Sequence, residues 1–489
     1  MKKDLLPFKG DLVNNRFTGP GRRSLRRSSG DPGDLARPVG EWSPGDADAA
    51  VAAARAASPR WAALPPAARL RALGALRRAL VRHGAALECL ITREMGKLVT
   101  ESRAEVSRLA ARFDVVAGEE ARLIRPERHP GGDFDARLVF RPRGVVAVLA
   151  PFNLPAHLAL SPAVSALAAG NTVVLKPSEL TPFVGQTLAE AVRDAALPPG
   201  VLNITQGAGE AGRCLAAHPG VDALVFTGSW ATGRKVLDET GSVPGKICAL
   251  EMGGKNAAIV LPDADLDLAV REAVEGAFMT SGQRCNSTSR IILHRRIAEQ
   301  FVERFLRRVD RLVVGYGLQA GADLGPVASE KGFRKVLSAL RRARAEGFEV
   351  LRAGGPVSCA GRKGYYLAPS VHRRARPPAG EPREGTYADD EVFGPDAAVY
   401  VARDLDEALA LNNRGLYGLV TSVFGRRRAD YEAVVRGART GLVNWNAATS
   451  RSSGALPFGG LGRSGNGRPV GLFSPFISTV PTACLERKR

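Results

Sequence analysis

One cysteine of this chain lies in a setting suited to nucleophilic chemistry. Cys285 stands in the segment GQRCN at 282–286, where small and polar neighbours would keep a thiol accessible. The thiolate of such a residue can attack a carbonyl carbon. None of the six histidines has a spacing that suggests a partner for Cys285, which argues against a papain-like protease. Taken by itself, the residue can equally be interpreted as a packed core cysteine.

Four further segments that carry polar or glycine residues follow predicted strands. The strands are predicted at 145–149, 172–175, 223–226 and 246–250, and the segments that follow them are PFN at 151–153, KPSE at 176–179, TGS at 227–229 and EMGG at 251–254. In an open α/β sheet, ligands bind at the carboxyl ends of the strands. We therefore expect all four segments along one edge of one sheet.

Two of these segments contain residues suited to binding a dinucleotide. Gly228 and Ser229 open a predicted helix, with Gly233 one turn further on, and the free amides and dipole of a helix start attract a pyrophosphate. The Glu179 carboxylate can accept hydrogen bonds from two ribose hydroxyls, and its charge would repel the 2′-phosphate of NADP. Lys176 can contact a ribose or a phosphate. The structural alternatives are a strand-to-helix turn, a carboxylate at a helix start and a surface lysine, respectively.

The elements that must position these residues alternate between strands and helices. Between the strands the pattern predicts a further strand at 201–204 and helices at 184–196, 211–217 and 231–237. A second alternating set begins after residue 263, with helices at 267–278, 298–312 and 330–346. Ahead of both sets, helices are predicted at 46–57, 66–83 and 87–116. Alternation at this spacing predicts mostly parallel sheet with helices on its faces, in two α/β domains.

Three segments fall outside the alternating pattern. Residues 1–45 are rich in Gly, Pro and Arg and are predicted to be loop, with one short strand near 12–17. Segment 125–143 contains the β-prone run 137–140 and is expected to form a hairpin. Residues 473–484 are apolar and β-prone. Each of the last two would expose apolar surface alone, and pairing them in an oligomer would cover it.

Length and composition describe a soluble protein of several domains. The chain has 489 residues, 45% of them hydrophobic and 24% charged, and its length predicts about two to four domains. The longest uncharged stretch, 144–175, is interrupted by Pro151, Pro155 and Pro162, so no membrane span is expected. No apolar block follows the charged start of the chain, so a cytoplasmic location is predicted. The six cysteines form no CxxC pair, which disfavours disulfides and structural zinc, and no metal is predicted.

The formal net charge of +20 raises the question of a nucleic acid or an anionic membrane as partner. The excess is mostly arginine, spread from Arg16 to Arg489 rather than gathered in one segment. A general bias of the source genome toward arginine explains this distribution, so neither nucleic acid nor membrane is predicted as a partner. The one compact cluster, RRSLRR at 22–27, is interpreted as a solvated loop.

Several motifs together resemble the signatures of the aldehyde dehydrogenase superfamily. The glutamate of LEMGGKN at 250–256 precedes the cysteine of GQRC at 282–285 by 34 residues, and this pairing carries the resemblance. Further motifs match in the family's order: PFN at 151–153, KPSE at 176–179, FTGS at 226–229, EVFGP at 391–395 and PFGG at 457–460. The resemblance extends from about residue 40 to the C-terminus.

The resemblance implies a fold of three parts: a Rossmann-type cofactor domain, an α/β catalytic domain and a small β element for oligomerisation. The implied boundaries are 1–124 and 147–250 for the NAD-binding domain, 251–440 for the catalytic domain, 441–469 for a return to the cofactor domain, and 125–146 with 470–489 for the oligomerisation element. The implied assembly is a homodimer or a homotetramer.

The resemblance also implies a reaction. Cys285 would attack the carbon of a small-molecule aldehyde, while the Asn153 side chain and the Cys285 backbone amide hold the oxyanion. Loss of hydride to NAD would leave a thioester, which water activated by Glu251 would hydrolyse. Because Glu251 is present, release of a free acid is favoured over transfer to coenzyme A, which is kept as an alternative.

NAD is the implied cofactor. The residues implied to bind it are Lys176, Ser178, Glu179, Gly228, Ser229, Gly233, Leu250, Glu391 and Phe393. Glu179 and Lys176 would contact the adenosine ribose, and Ser229 the pyrophosphate. Glu391 would bind the nicotinamide ribose, with Phe393 packed beside it.

The C-terminal motifs refine the expected substrate. GLVNWN at 441–446 and SGNGRP at 464–469 are similar to motifs of the N-succinylglutamate 5-semialdehyde dehydrogenases, a branch of the family. A substrate with carboxylates would need cationic anchors, and Arg290 or Arg451 could bind them bidentately. The candidate substrate contacts are Asn286, Arg290, Trp445, Arg451 and Phe458. The segment NSTS at 286–289 differs from that branch, so an uncharged or biosynthetic aldehyde is the alternative substrate.

Overall fold

The computed structural model describes residues 8–19, 23–26, 28–31, 37–40, 44–241, 243–374 and 380–488. Two seven-stranded sheets with helices on their faces dominate it. Buried apolar clusters fill the space between each sheet and its helices. The predicted α/β architecture with mostly parallel sheets is confirmed.

The first sheet contains the predicted strands that end in polar segments. Its order is Arg16–Phe17, Leu12–Val13, Leu202–Ile204, Thr172–Lys176, Val145–Leu149, Ala223–Gly228 and Ile247–Met252. The last five strands are parallel. Parallel strands covered on both faces are continuous apolar runs, as VVAVL at Val145–Leu149 illustrates. The four polar segments therefore follow one edge of this sheet, as predicted.

The second sheet begins where the first one ends. Its order is Glu349–Arg352, Ser370–Arg373, Asp396–Ala402, Thr288–His294, Asn256–Val260, Val420–Phe424 and Leu442–Trp445. All neighbours are parallel except the first pair. Only three residues separate Met252 in the first sheet from Asn256 in the second. This short crossing brings the carboxyl edge of one sheet next to the amino edge of the other.

A third sheet joins distant parts of the chain. It consists of Glu127–His129, Phe134–Pro142 and Thr479–Arg487. The C-terminal strand pairs antiparallel with the longer strand of the hairpin, and Leu485 is left 74% exposed. The predicted hairpin and C-terminal strand are confirmed, although a short helix, Ser474–Ser478, precedes the strand.

Helices pack on the two large sheets and connect their strands. They span Pro44–Ala62, Pro66–Arg82, Gly84–Met95, Val99–Val115, Ala121–Leu123, His157–Ala168, Pro182–Asp194, Gly209–Ala217, Trp230–Thr240, Leu266–Phe278, Ala298–Val309, Glu330–Ala345, Leu405–Asn413, Arg428–Gly437 and Ser474–Ser478, with a π-helical turn at Val116–Glu120 and a 3₁₀ turn at Met279–Gly282. Two-stranded ladders join Arg23–Arg26 to Arg37–Gly40, Gly355–Pro356 to Leu367–Ala368, Tyr417–Gly418 to Leu461–Gly462, and Pro457–Phe458 to Val470–Gly471. Within the described ranges, no helix is long and apolar enough to cross a membrane.

The single helix predicted at 87–116 is wrong, because the structure divides it in two. Helix Gly84–Met95 ends at Gly96, whose φ of 96° is left-handed, and helix Val99–Val115 begins three residues later. Glycine adopts that conformation without steric cost, so Gly96 ends the first helix. Glu101 caps the second helix by accepting the N–H of the residue before its start at 3.0 Å.

Other sequence expectations also differ from the structure. The helix predicted at 46–57 extends over Pro44–Ala62. Helix His157–Ala168 was not predicted, because Pro162 lies inside it. The proline removes one backbone hydrogen bond, and nearly complete burial of the apolar helix against the first sheet compensates for that loss.

The N-terminal expectations are tested only in part. The strand predicted near 12–17 is a hairpin of two short strands, and the described parts of the predicted loop also contain the ladder that begins at Arg23. Residues 1–7 lie outside the described residues, as do Arg22 and Arg27 of the arginine cluster.

The expected return to the cofactor domain at residue 441 comes later in the chain. Strand Leu442–Trp445 pairs in parallel with Val420–Phe424 and therefore completes the second sheet. Contact with the first sheet is made further on, where the Asn466 side chain accepts the N–H of Leu250 at 2.8 Å. The reason is that the apolar run at the start of this segment fits the open edge of the second sheet.

Candidate active site

The segment that carries Cys285 is a tight turn at the start of the second sheet. It follows helix Leu266–Phe278 and contains Thr280 and Ser281, whose φ values of 57° and 54° are left-handed. Residues other than glycine are strained in that conformation, so surrounding contacts must hold them there. The Asn256 side chain supplies one such contact by donating to the backbone carbonyl of Cys285 at 2.8 Å. The nucleophile is thus fixed by the sheet rather than carried on a free loop.

Glu251 lies at the end of strand Ile247–Met252 and interacts with Cys285. The residue is 1% exposed, and its Oε1 atom has no hydrogen-bond partner among the described residues. Burial raises the pKa of this carboxyl to about 7, against the opposing effect of a hydrogen bond with the Cys285 thiol. Burial, and then the charge of Glu251, raises the pKa of the thiol. A candidate base therefore lies beside a candidate nucleophile.

Asn153 lies in the loop after strand Val145–Leu149 and is 4% exposed. It lines the same pocket as Cys285. Its backbone carbonyl accepts the Nζ of Lys97 at 3.0 Å. An amide side chain and a backbone N–H on one pocket beside a nucleophile are the donors that a developing oxyanion requires.

A pocket opens at Cys285. Helix Val99–Val115 and the start of helix His157–Ala168 form part of its wall, and Phe458 contributes a ring. Four serines supply polar lining: Ser161, Ser450, Ser452 and Ser453. Arginine side chains line it as well, and the described lining contains no aspartate or glutamate. The pocket is therefore positively charged.

The three pocket arginines differ in how many donors they have available. Arg112 is buried in an ion pair with Glu120. The Arg284 side chain donates its Nε to the Thr280 hydroxyl at 2.9 Å, and this is the single hydrogen bond of that side chain within the described structure. The Arg108 side chain is exposed and makes no hydrogen bond or ion pair with any described residue. Arg108 and most of the Arg284 guanidinium are thus available to an anion.

His157 adds a neutral polar group to this pocket. Its Nδ1 atom is buried without a hydrogen-bond partner among the described residues. Burial, and then the charges of Arg108, Arg112 and Lys97, lower the pKa of His157 to about 3. The imidazole is uncharged at neutral pH and does not add to the positive charge of the pocket.

The candidate adenosine site lies at the end of strand Thr172–Lys176. The Nζ of Lys176 donates to two backbone carbonyls at 2.8 Å each and lies 3.6 Å from the Glu179 carboxylate. The Ser178 hydroxyl is buried and accepts a neighbouring backbone N–H at 3.2 Å. Glu179 has a half-exposed side chain, so its carboxylate is the group available to a ligand.

The candidate pyrophosphate site is the start of helix Trp230–Thr240, directly after Gly228. Ser229 caps this helix by accepting an N–H of its first turn at 3.3 Å. A Cβ atom at Gly233 would come within 2.2 Å of the Met252 sulfur, so glycine lets the helix lie close on the sheet. The first-turn amides therefore lie at the carboxyl edge of the sheet, where an anion can approach.

The candidate nicotinamide site lies at the crossing between the two sheets. Glu391 accepts the backbone N–H of Gly254 at 2.9 Å. Phe393 has a left-handed φ of 58°, and its ring packs edge-on against Phe152 with centroids 5.8 Å apart. Both Glu391 and Phe393 line a small pocket together with Gly254. Leu250, in the strand beside this pocket, is buried.

These three sites fit the parts of a nicotinamide dinucleotide. A carboxylate at each end, Glu179 and Glu391, suits the hydroxyls of two riboses, and the helix start between them in the chain suits the pyrophosphate. In the described part of the chain, no group of three or more His, Cys, Asp or Glu side chains could hold a metal ion.

Two of the five candidate substrate residues, Asn286 and Phe458, line the pocket. Arg290 does not. It is 8% exposed and donates to three backbone carbonyls at 2.8, 2.8 and 3.0 Å. The expectation that Arg290 anchors a substrate carboxylate is therefore corrected: its guanidinium links the crossing at Lys255 to the end of helix Leu405–Asn413.

Arg451 and Trp445 also lie outside the described pocket lining. The Arg451 side chain is 57% exposed and pairs with Glu275 at 2.9 Å. The Trp445 ring stacks on Tyr431 with centroids 5.0 Å apart, and its Nε1 donates to a backbone carbonyl. A surface ion pair and a packed aromatic pair account for these two residues, which corrects their assignment to the substrate.

Sequence reasoning missed three pocket residues, Arg108, Arg284 and His157. Arg284 could have been found, because it precedes Cys285 in the chain. Arg108 occupies an ordinary polar position of an amphipathic helix, and only the packing of that helix against the active site reveals it. His157 lies in a helix that the sequence pattern did not indicate.

Comparisons with known proteins agree with this geometry. Residues 33–475 match the model of the aldehyde dehydrogenase family. The chain is 38% identical over 442 residues to N-succinylglutamate 5-semialdehyde dehydrogenase 1 of Caulobacter vibrioides, which covers 90% of this chain and 91% of the relative. Two solved structures are similar throughout. A putative aldehyde dehydrogenase from Burkholderia cenocepacia has a TM-score of 0.91 and 33% identity over 98% of each chain.

The second structure is 1-pyrroline-5-carboxylate dehydrogenase from Thermus with bound NAD. Its TM-score is 0.91 and its identity 30%, over 100% of this chain and 94% of that one. The family model spans most of the sequence, and the similarity to the Caulobacter vibrioides relative extends over nine-tenths of both chains. The chain therefore belongs to the aldehyde dehydrogenase family.

Proposed function

We propose that this aldehyde dehydrogenase oxidises N-succinylglutamate 5-semialdehyde to the free acid with NAD. The general reaction of the family is oxidation of an aldehyde to an acid with NAD(P). The observation that supports the substrate is the charge of the pocket at Cys285, which Arg108 and Arg284 line without any described acidic neighbour in the lining. The substrate has carboxylates away from its aldehyde carbon, and guanidinium groups bind carboxylates bidentately. The Caulobacter vibrioides relative is named for this substrate.

The electrostatics of the two arginines support an anionic ligand. Burial lowers the pKa of Arg284; the negative charge of Glu101 opposes this shift, and the positive charge of Arg108 adds to it. The two guanidiniums repel each other, and a bound carboxylate would relieve that repulsion. An uncharged aldehyde would form no ion pair with either guanidinium.

In the proposed reaction, Cys285 and Glu251 perform the covalent chemistry. The thiol gives its proton to Glu251, and the sulfur attacks the aldehyde carbon. The oxyanion formed accepts hydrogen bonds from the Asn153 side chain and the Cys285 backbone N–H. A bound nicotinamide supplies the acceptor for the hydride that leaves this carbon. Glu251 then loses the thiol's proton to solvent and takes a proton from water, which attacks the resulting Cys285 thioester; this proton passes to the departing sulfur as the acid is released.

The proposed roles at the cofactor site follow from the groups available there. Glu179 binds the adenosine ribose, with Lys176 and Ser178 shaping the end of its strand. The helix start at Ser229 binds the pyrophosphate, and Glu391 the second ribose. NAD is preferred to NADP because the half-exposed Glu179 carboxylate repels a phosphate on the ribose.

Hydrolysis is preferred to transfer of the acyl group to coenzyme A. Water is a weak nucleophile that needs a base, whereas a thiol needs less help. Glu251, with a pKa raised by burial to about 7, is half ionised near neutral pH and suits that task.

We also propose a domain division and an assembly. The NAD-binding part comprises 1–124 and 147–250, the catalytic part extends from 251 to the end of the second sheet at Trp445, and 125–146 with 470–489 serve oligomerisation. The exposed Leu485 and Phe134 on the third sheet support the last assignment. Light scattering coupled to size-exclusion chromatography would reveal a homodimer or homotetramer if this is correct, and a monomer if it is not.

The test of the proposed function is NADH formation by the purified protein with a panel of aldehydes. The panel contains N-succinylglutamate semialdehyde, succinate and glutarate semialdehydes, and uncharged alkyl and aryl aldehydes. We expect kcat/KM for the succinylated substrate to exceed that for an uncharged aldehyde by about 100-fold, the value of one or two charged hydrogen bonds. Equal or better turnover of uncharged aldehydes would contradict the substrate, and stimulation by coenzyme A would contradict hydrolysis.

A further inference from the structure

We propose that Glu101 and Glu105 of helix Val99–Val115 are positioning residues that hold the two halves of the oxyanion site together. The inference rests on the proposed roles of Asn153 and Cys285. Side chains four residues apart lie on one face of a helix. One of these carboxylates binds the loop that contains Asn153, and the other binds the turn that leads to Cys285.

The first contact is made by Glu105. Glu105 is 2% exposed, and its Oε1 accepts hydrogen bonds from the backbone N–H groups of Ala156 and His157 at 2.8 and 3.0 Å. Its Oε2 forms a buried ion pair with Lys97. The same Lys97 donates to the backbone carbonyl of Asn153 at 3.0 Å. The pair therefore fixes the Asn153 loop at two points, one on each side of Leu154 and Pro155.

The second contact is made by Glu101, one helical turn earlier. Its Oε1 accepts both the backbone N–H and the hydroxyl of Thr280, at 2.7 and 2.8 Å. Thr280 is the first of the left-handed residues before Cys285. Its hydroxyl in turn accepts the Nε of Arg284 at 2.9 Å. The carboxylate therefore holds a strained turn in the conformation that sets the direction of the Cys285 backbone.

The two donors of the oxyanion site come from parts of the chain that are 132 residues apart, Asn153 and Cys285. Both donors must reach the same oxygen atom, so each must be placed to within a fraction of an ångström. A misplacement of about 1 Å costs about 100-fold in rate. One helix that binds both loops through carboxylates sets this separation directly. Loss of either carboxylate is expected to misplace a donor while leaving the thiol and Glu251 intact.

Two reactions of Cys285 separate positioning from general damage, and neither needs cofactor or the natural substrate. With p-nitrophenyl acetate, the sulfur attacks the ester carbonyl, an oxyanion forms and collapses, p-nitrophenolate leaves, and acetyl remains on the sulfur. With iodoacetamide, the sulfur displaces iodide and no oxyanion forms. The first reaction depends on the oxyanion donors, and the second depends on the nucleophile alone.

The variants are Glu101→Ala, Glu101→Gln and Glu105→Gln, with Asp114→Ala as the matched control. Asp114 lies on the same helix, is exposed and pairs with Arg77. We expect Glu101→Ala and Glu105→Gln to slow acylation by p-nitrophenyl acetate by about 10- to 100-fold. In both variants the rate of alkylation by iodoacetamide is expected to change by less than about twofold. Glu101→Gln keeps an acceptor oxygen, so it is expected to retain most of the acylation rate. If Glu105→Gln does not fold, Glu101→Ala and its rescue decide the question.

Acylation rates that stay unchanged in Glu101→Ala would overturn the inference, as would an equal loss of acylation and alkylation. A failure of the proposed mechanism would look different. Cys285→Ala must lose the p-nitrophenolate burst, and a burst that survives in that variant would count against Cys285 as the nucleophile rather than against Glu101 and Glu105.

Discussion

The Glu251 carboxyl and the Cys285 thiol interact inside the protein, and burial raises the pKa of both groups. The thiol therefore keeps its proton near neutral pH, where Glu251, with a pKa of about 7, is half ionised. The ionised fraction of Glu251 is the form proposed to act as the base in both halves of the reaction. The pH dependence of turnover follows from this relationship.

We expect kcat to rise with pH through about 7. Glu251 must be ionised to take a proton, and its pKa is raised to about 7, so kcat should fall about tenfold per pH unit well below that value. Steady-state rates between pH 5 and 9 would measure the transition. A profile that is flat from pH 5.5 upward would show that Glu251 does not limit the rate as a base.

The pocket arginines are expected to control the affinity for carboxylated aldehydes. Replacing Arg108 or Arg284 by methionine removes a charged donor, so KM for N-succinylglutamate semialdehyde should rise by about 10- to 100-fold. KM for an uncharged aldehyde should stay the same. Arg103→Met, which affects an exposed arginine of the same helix, is the control. Equal increases for both substrates would indicate damage to the pocket rather than loss of an anchor.

Arg290 is expected to contribute to stability rather than to substrate binding. Arg290→Met would leave the backbone carbonyls of Lys255, Leu411 and Asn412 without their donor, which should lower the free energy of unfolding by about 2–4 kcal/mol. Arg451→Ala removes an exposed ion pair and should change the free energy of unfolding by less than about 1 kcal/mol. Urea denaturation measures this free energy for both variants. The assignment fails if Arg290→Met unfolds at the wild-type urea concentration.

Glu179 is expected to set the preference between the two nicotinamide cofactors. Glu179→Gln removes the charge that repels a ribose phosphate, so the ratio of kcat/KM for NADP to that for NAD should rise by about tenfold. The exposed Glu210, on a neighbouring helix and paired with Arg213, offers a control in Glu210→Gln. An unchanged ratio in Glu179→Gln would place cofactor discrimination elsewhere.

The sequence was most informative where burial determines the pattern. Parallel strands such as Val145–Leu149 are covered on both faces, so each is a continuous apolar run whose end is easy to locate. The sequence alone therefore predicts that the polar segments which follow these strands lie along one edge. The roles of Cys285 and Glu251 came from motifs that the family shares.

Tertiary contacts decided what the sequence could not. Gly96 divides an otherwise continuous helical pattern, and apolar packing allows Pro162 inside a helix. The sequence pattern does not distinguish Arg290 from Arg108. The Arg290 side chain binds backbone carbonyls, whereas the Arg108 side chain has no hydrogen-bond partner among the described residues. Only the fold determines which guanidinium faces the pocket.

The covalent intermediate on Cys285 is the most direct test of the proposed mechanism. Glu251→Gln, incubated with NAD and N-succinylglutamate semialdehyde, should release about one NADH per active site and then stall, because the thioester cannot be hydrolysed. Mass spectrometry of the digested protein should then find the N-succinylglutamyl group on the peptide that contains Cys285, and no such group in the double variant with Cys285→Ala. A first turnover as slow as the steady state, or an acyl group on another residue, would contradict the mechanism.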